Sequence, residues 1–142
     1  MATFTEPDCL SEDIANKVHD FNSDTFRIAL TNTAPVLGTT FLLSNVTQIA
    51  NGNGYTTATD GAGMVATLTF SRTGQVTTVT MTNSPQWTAT GTMGPFQWAV
   101  WYNDTSTSPA NPVIGWLQHA TPITMANTDT YTLPSGALFT IN

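Results

Sequence analysis

One acidic stretch has the beginning of the spacing found in calcium loops. Asp20, Asn22 and Asp24 form the pattern D-x-N-x-D, in which alternate oxygen-bearing side chains can converge on a cation. An EF-hand loop also needs glycine at its sixth position and glutamate at its twelfth, where this chain has Thr25 and Thr31. We therefore interpret the stretch as a turn that ends a helix, and we predict no metal and no cofactor. A different calcium site involving Asp20 and Asp24 stays open.

Residues that could support catalysis are few and lie apart. The two histidines, His19 and His119, fall in no motif that fixes a nucleophile or a metal. Cys9 is the only cysteine, so no disulfide can form within the chain, and we expect a partly buried or idle thiol. The glycine-rich run at 51–54 lacks the Lys-Ser/Thr that follows in a phosphate-binding loop. We predict no catalytic residues and no enzyme activity.

The other chemically distinctive residues are four tryptophans: Trp87, Trp98, Trp101 and Trp116. Exposed aromatic side chains on a β-sandwich can form a flat platform for sugar rings, whereas buried ones fill a core or a subunit interface. Trp98 alternates with Phe96 and Val100, so we expect it in the core. Trp101 points to the opposite face, under a second layer or at an interface.

The segment that carries Trp98 and Trp101 predicts a central strand. Between Phe96 and Tyr102 apolar side chains occupy both alternating sets of positions, and a strand that is apolar on both faces lies inside its sheet. A polar turn at 103–111 and a second apolar strand at 112–118 complete a hairpin. The predicted core or interface anchors are Phe96, Trp98, Val100, Trp101, Tyr102 and Trp116.

The remaining elements predict one helix and further strands. Leu10, Ile14 and Val18 recur every four residues and predict a helix over 10–19, with Ser11 as its N-cap. A half-buried strand is expected at 25–32, with Phe26, Ile28 and Leu30 inward and Thr25, Arg27 and Thr31 outward. A hairpin is expected between 64–71 and 75–83. Shorter strands are expected at 86–90, 121–125, 129–133 and 137–141.

The segment 41–50 is ambiguous. Its apolar spacing allows a short helix over 44–50, closed by the turn 51–54, whose glycine and asparagine residues tolerate positive φ. About eight strands at the observed spacing are typical of sandwiches and barrels. The sequence therefore predicts a single all-β domain over 1–142, a jelly-roll-like antiparallel β-sandwich with a short N-terminal helix.

Composition excludes several function classes. Only 8% of the 142 residues are charged, and the net charge is −6, because nine acidic residues face only Lys17, Arg27 and Arg72. Nucleic acids and anionic membranes are bound through clustered cations, so we expect neither as a partner. The N-terminus has no secretory signal pattern, and no run is long enough to span a membrane. We expect a soluble protein made in a cytoplasm.

Four stretches together resemble a family of small virion structural proteins from tailed phages. They are HDFNSDTFRIAL at 19–30, IANGNGY at 49–55, WAVWYND at 98–104 and PVIGW at 112–116. The likeness covers most of the chain. Related sequences often read N-G-Y-T-x-G-G, whereas here Tyr55 is followed by Thr-Thr-Ala and the glycines come later, at 61 and 63. We therefore expect a different loop geometry there.

The resemblance implies a non-catalytic particle component. We expect a capsid decoration or cement protein on the virion surface, assembled in the host cytoplasm and bound to the major capsid protein as a homo-oligomer. A trimer is expected because decoration often sits at three-fold positions. The alternatives are a tail or fibre-attachment component and a module that binds host glycans through exposed tryptophan. Uncharged polar surfaces suit the first interpretation, because burying them in subunit contacts costs less desolvation than burying Lys or Glu.

Overall fold

Ten strands and one short helix make up most of the regular structure of residues 3–142, the part of the chain that the computed structural model describes. Helix α1 is Leu10–Ala15, and a 3₁₀ turn spans Leu43–Asn45. In chain order the strands are β1 (Phe4–Thr5), β2 (Phe26–Thr31), β3 (Met64–Ala66), β4 (Leu68–Thr73), β5 (Val76–Met81), β6 (Gln86–Thr88), β7 (Met93–Asn103), β8 (Val113–Met125), β9 (Thr130–Thr132) and β10 (Gly136–Ile141). The prediction of an all-β, sandwich-like fold is confirmed, with ten strands in place of about eight.

The strands pair into three antiparallel sheets. The largest has five strands in the order β1-β8-β7-β2-β3. A three-stranded sheet has the order β10-β5-β4, and β6 pairs with β9 in a two-stranded sheet. β7 therefore lies in the middle of the largest sheet, as its sequence predicts.

Different layers cover the two faces of β7. On the inner face, Phe96 and Trp101 join a main core that also contains side chains of both smaller sheets. On the outer face, Val100 and Tyr102 join a second cluster, to which the irregular segment 32–62 contributes. A strand covered on both sides has no position for an exposed polar residue, which explains the continuous apolar run.

A shift in the pairing of β7 with β8 separates Trp98 from Phe96. Phe96 pairs with Ile123, whereas Trp98 pairs with Gln118, so the ladder is irregular between them. As a result Phe96 faces the main core while Trp98 is half-buried on the outer face. The prediction that Trp98 shares the core with Phe96 is therefore wrong. Trp101 shares it instead, at 1% exposure.

Strand β2 is more deeply buried than its sequence predicts. Phe26, Ile28 and Leu30 face the main core as expected. Thr31, expected to face outward, is fully buried, and its hydroxyl donates to the carbonyl of Thr47. Thr47 belongs to the segment 32–62, which folds over this side of the sheet. The outward prediction for Thr31 is thus wrong, because loop backbone replaces solvent as its hydrogen-bond partner.

Helix α1 is shorter than the recurrence of apolar residues over 10–19 predicts. It ends at Ala15, and Lys17 has a φ of +60°, a left-handed conformation that stops helical propagation. Cys9, not Ser11, occupies the N-cap position, and it makes no side-chain capping bond. Within residues 3–142 no helix has the length and apolar character needed to cross a membrane.

Two predicted strand boundaries are also corrected. The strand expected at 64–71 divides at Thr67: β3 joins the five-stranded sheet and β4 pairs with β5. The Thr67 backbone instead bonds to Asn83 and Thr82, which lets the chain change sheets. Conversely, the strands expected at 112–118 and 121–125 form the single strand β8. Each boundary depends on pairing partners that are distant in sequence.

The ambiguous segment 41–50 contains only the 3₁₀ turn Leu43–Asn45, so the helix considered for 44–50 does not form. The turn that follows has the positive φ values predicted for it: 108° at Gly52, 54° at Asn53 and 99° at Gly54. A Cβ at Gly54 would clash with the carbonyl oxygen of Thr88, so glycine is also needed there for close backbone approach.

The side chains of Phe96 and Trp98 lie on either side of the irregularity in β7. Removing them should lower the free energy of unfolding by unequal amounts. We predict that Phe96→Ala lowers the free energy of unfolding by about 3–5 kcal/mol, because it opens a cavity in the main core. Trp98→Ala should cost about 1–2 kcal/mol, since the indole is only partly buried. Urea denaturation of both variants measures the difference. An equal loss for the two would place Trp98 in the core.

Candidate functional site

All four tryptophans are wholly or partly withdrawn from solvent. Trp87, Trp101 and Trp116 are 3%, 1% and 5% exposed, and Trp98 is half-buried. Trp101 packs with Phe96 in the main core, whereas Trp98 and Trp116 join the outer cluster with Val100 and Tyr102. A sugar platform requires exposed, coplanar aromatic rings, and these side chains do not form one. The six predicted anchors are thus divided between the two faces of one sheet.

The D-x-N-x-D stretch is a turn whose carboxylates are already bonded. Asp20 accepts hydrogen bonds from the backbone N–H of Asn22 at 2.9 Å and the hydroxyl of Ser23 at 2.8 Å. These bonds lower the pKa of the Asp20 carboxyl. Asp24 accepts from the backbone N–H of Asp20 at 2.8 Å. Within residues 3–142 no group of three or more metal-binding side chains is close enough to hold a metal ion.

Asn103, at the end of β7, joins this turn to the central strand. It is fully buried, and its Nδ2 donates to Asp24 Oδ2 at 2.6 Å and to the carbonyl of Val18 at 3.2 Å. Its Oδ1 accepts from the backbone N–H groups of Thr105 and Ser106, which fixes the orientation of the amide. The amide therefore ties the N-terminal turn to the loop after β7.

Asp104 makes the neighbouring connection. Its Oδ2 accepts from Arg27 Nε at 2.6 Å, and its Oδ1 accepts from the backbone N–H of Gly61. The same guanidinium donates from Nη1 to the carbonyl of Gly63 at 2.8 Å. The side chains of the pair are 17% and 6% exposed, so both charges are largely desolvated and need these partners. The motifs at 19–30 and 98–104 thus form a structural polar network.

The Asp13 side chain lies between those of Cys9 and His19. This order does not suit a cysteine nucleophile, which needs the base beside it. The Asp13 carboxylate accepts from the Cys9 thiol and lies 3.9 Å from His19 Nε2. Burial, together with the nearby Asp13 charge, raises the pKa of Cys9 to about 12. A nucleophilic cysteine needs a lowered pKa and direct contact with a base. The partly buried thiol is therefore held in its protonated form.

The two histidines are both packed among other side chains. His19 Nδ1 lies 3.2 Å from Asn103 Nδ2, the amide nitrogen that also contacts Asp24 and the carbonyl of Val18. Burial lowers the pKa of His19, and the charges of Asp13 and Asp24 oppose this shift. His119 Nε2 pairs with the hydroxyl of Tyr131, and burial lowers the pKa of His119 as well. Both rings are therefore neutral near pH 7.

The feature best suited to contact a partner is the β4–β5 hairpin. Its residues 69–76 are all exposed, and we call them the hairpin surface. Phe70 is 51% exposed and Val76 is 39% exposed, although both are large and apolar. Arg72 is the one charged residue among the eight, and its Nε donates to the carbonyl of Gly74. β4 is also the edge strand of its sheet, so its outer backbone groups face away from β5.

The sequence prediction missed the hairpin surface because it treated 64–71 as one strand. Ala66 and Leu68 are buried as the alternation predicts, but Phe70 leaves the core after the strand changes sheets. A signal was present in the sequence. Arg72 continues the alternating set of Leu68 and Phe70, and a charged residue on that set indicates that its face leaves the core before the turn.

Comparisons with protein-family models, curated proteins and solved structures found no match. The resemblance of four sequence stretches to phage virion proteins therefore stays a prediction. The chemistry of the described residues is that of hydrogen-bonded turns, a protonated thiol and an exposed, almost uncharged hairpin. The function must be argued from these features.

The lowered histidine pKa values predict a stability that depends on pH. The unfolded chain takes up protons on its histidines near pH 6.5, whereas the folded chain, in which burial lowers both histidine pKa values, takes them up only at lower pH. Stability should therefore be full above about pH 7 and fall as the pH drops below the unfolded pKa. His19→Gln and His119→Gln should each reduce this dependence. Urea midpoints at about pH 7.5 and about pH 5.5 measure it.

The double variant is the control, since it should retain only the part of the pH dependence that arises from carboxyl groups. If the double variant and the unmodified chain lose stability equally over this range, the histidines do not titrate as the structure requires.

Proposed function

We propose that this chain is a structural component of a tailed phage particle, a capsid decoration protein that binds the shell without catalysis. The observation that carries the proposal is the hairpin surface, an exposed and almost uncharged hairpin in which β4 is an edge strand. The phenyl ring of Phe70, 51% exposed on one face of this hairpin, represents a free-energy cost that a partner surface would relieve. The sequence resemblance to virion proteins indicates which class of partner is involved.

The chemistry of the hairpin surface suits burial against another protein. Around Phe70 and Val76 the side chains are threonine, serine and glutamine, with Arg72 as the single charge. Such residues can be desolvated at a lower cost than lysine or glutamate. The partner that this proposal names is the major capsid protein. The protein would reach the capsid surface after synthesis in the host cytoplasm and act there as a homo-oligomer, with a trimer as the expected state.

Two rival mechanisms lead to different expectations. The nine acidic residues of the chain could dock against basic capsid side chains, in which case binding would weaken with salt. A tail or fibre-attachment position would also use a protein-binding surface, but it would not stabilise the shell. The glycan-binding alternative has no support from side-chain placement, because the indoles are wholly or partly buried.

If the hairpin surface makes the contact with the capsid, binding should hardly depend on salt concentration. It should weaken when the phenyl ring of Phe70 is removed. Retention on purified particles should hardly change between about 0.1 M and 1 M salt, over which the Debye length falls from about 10 Å to about 3 Å. Phe70→Ser should weaken retention by about tenfold or more, as expected for an aromatic anchor at an interface. Quantitative gel analysis of sedimented particles measures both effects.

Leu37→Ser is the matched control, because Leu37 is 46% exposed but lies outside the hairpin surface. It should leave retention unchanged, and both variants should fold normally. Release at high salt, or equal retention of the Phe70 and Leu37 variants, would favour acidic docking instead. Retention without any rise in the temperature at which shells break would refute shell stabilisation and favour a tail position.

A further inference from the structure

Strand β4 is the one long and regular sheet edge within residues 3–142. Edge strands present unpaired backbone groups, and proteins commonly protect them by keeping them short or by inserting a bulge. The other edges have such protection: β1 has two residues, β3, β6 and β9 have three each, and the pairing of β10 is irregular between Ala137 and Phe139. β4 has six residues, pairs with β5 without a register shift and contains neither lysine nor proline. Its edge is therefore open to pairing with another strand.

The hydrogen bonds of the hairpin show which backbone groups of β4 point outward. The N–H of Thr82 donates to the carbonyl of Thr67 at 2.9 Å, and the β4–β5 ladder continues from that pair in the same register. Bonded and non-bonded pairs alternate along an antiparallel ladder, so Thr69 and every second residue after it bond to β5. The N–H and C=O groups of Phe70 and Arg72 therefore point away from β5. No hydrogen bond from elsewhere in residues 3–142 reaches them.

Phe70 is the last of a row of apolar side chains that crosses the three-stranded sheet. Phe139 of β10 lies opposite Val79 of β5, and Val79 lies opposite Phe70. The exposed fraction is 6% at Phe139 and 0% at Val79, but 51% at Phe70. No strand follows β4 in this sheet, so nothing continues the row beyond Phe70. An apolar side chain directly opposite Phe70 on an added strand would continue the row and cover the phenyl ring.

Arg72 indicates a second feature of such a strand. It follows Phe70 by two residues, so the two side chains share one face of β4, and it is the one charged residue of the hairpin surface. An acidic side chain two positions from the apolar one would therefore lie opposite the guanidinium. Exposed ion pairs of this kind add little affinity, but they favour one register over others.

A second copy of this chain fits the edge less well than a strand of another protein. If Phe70 lay opposite Phe70 of an antiparallel second copy, Arg72 would lie opposite Leu68 of that copy and would meet no anion. Each copy also has a net charge of −6, so two copies repel each other. We therefore assign the edge to a different protein.

We propose that the outer edge of β4 binds an extended segment of the major capsid protein by β-strand addition. The segment exchanges backbone hydrogen bonds with Phe70 and Arg72, and it places an apolar side chain opposite Phe70 and an acidic one opposite Arg72. The identity of the partner rests on the proposed function, whereas the mode of binding rests on the free edge of β4.

The first experiment compares the retention of Arg72→Pro and Arg72→Thr on purified particles. Both variants lose the guanidinium, but only proline also lacks the outward N–H. That N–H is not bonded to β5, so proline is compatible with this position of an edge strand, and both variants should give the circular dichroism spectrum of the unmodified chain. Arg72→Pro should lower retention at least about tenfold and Arg72→Thr by less than about threefold. Equal retention of the two would refute strand addition and leave attachment through side chains.

Hydrogen exchange of the unmodified chain tests the same contact without a substitution. In the free chain the amide hydrogens of Phe70 and Arg72 should exchange fast, whereas that of Ser71 should exchange slowly because it bonds to β5. On the particle the amides of Phe70 and Arg72 should become at least about tenfold slower. Fast exchange of both amides in a chain that stays on the particle would refute strand addition alone.

Two further outcomes would overturn the named partner. If the unmodified chain does not bind particles, the proposed function and the capsid segment are both wrong. If the chain dimerises in solution, and Arg72→Pro abolishes the dimer while Arg72→Thr preserves it, the occupant of the edge is a second copy. Sedimentation equilibrium of the three chains measures this.

Discussion

The whole arrangement depends on covering both faces of β7. Its run from Phe96 to Tyr102 is apolar on both sides, so either face left in water would expose large aromatic and aliphatic surfaces. The two smaller sheets cover one face, and the irregular segment 32–62 covers the other. That segment can be irregular because side chains satisfy its backbone, as when Gln48 Oε1 accepts from the N–H of Ala58. Asn103 then secures the N-terminal turn at the end of the strand.

This constraint also determines which residues are free to bind a partner. The aromatic and charged residues of the motif stretches stabilise the fold. The indoles lie in the main core and the outer cluster, and Asp104 pairs with Arg27. The hairpin surface is different, because Phe70 and Val76 contribute little to either cluster and remain exposed. A protein that keeps an aromatic side chain such as Phe70 in water on an edge strand has a surface suited to association. The proposed particle role follows from that surface and the low charge of the chain.

The sequence predicted the features that depend on local pattern. The apolar alternation placed β7 inside a sheet, and the Asn-Gly run gave positive φ at 52–54. Errors arose where a distant partner decides the outcome. The register shift against β8 moved Trp98 to the opposite face from Phe96. The change of sheets at Thr67 divided one predicted strand into two, and a hydrogen bond to Thr47 buried Thr31.

On the proposed function a tailed phage encodes this chain, and the most direct test of the central claim is electron cryomicroscopy of the particles of that phage. The account predicts a density that fits the β-sandwich on the outer face of the shell, with the hairpin surface against a capsid subunit and Phe70 at the contact. Symmetric copies around a three-fold position would support the trimer. A density confined to the tail, particles without this protein, or a shell-bound copy whose hairpin surface points into solvent would contradict the account.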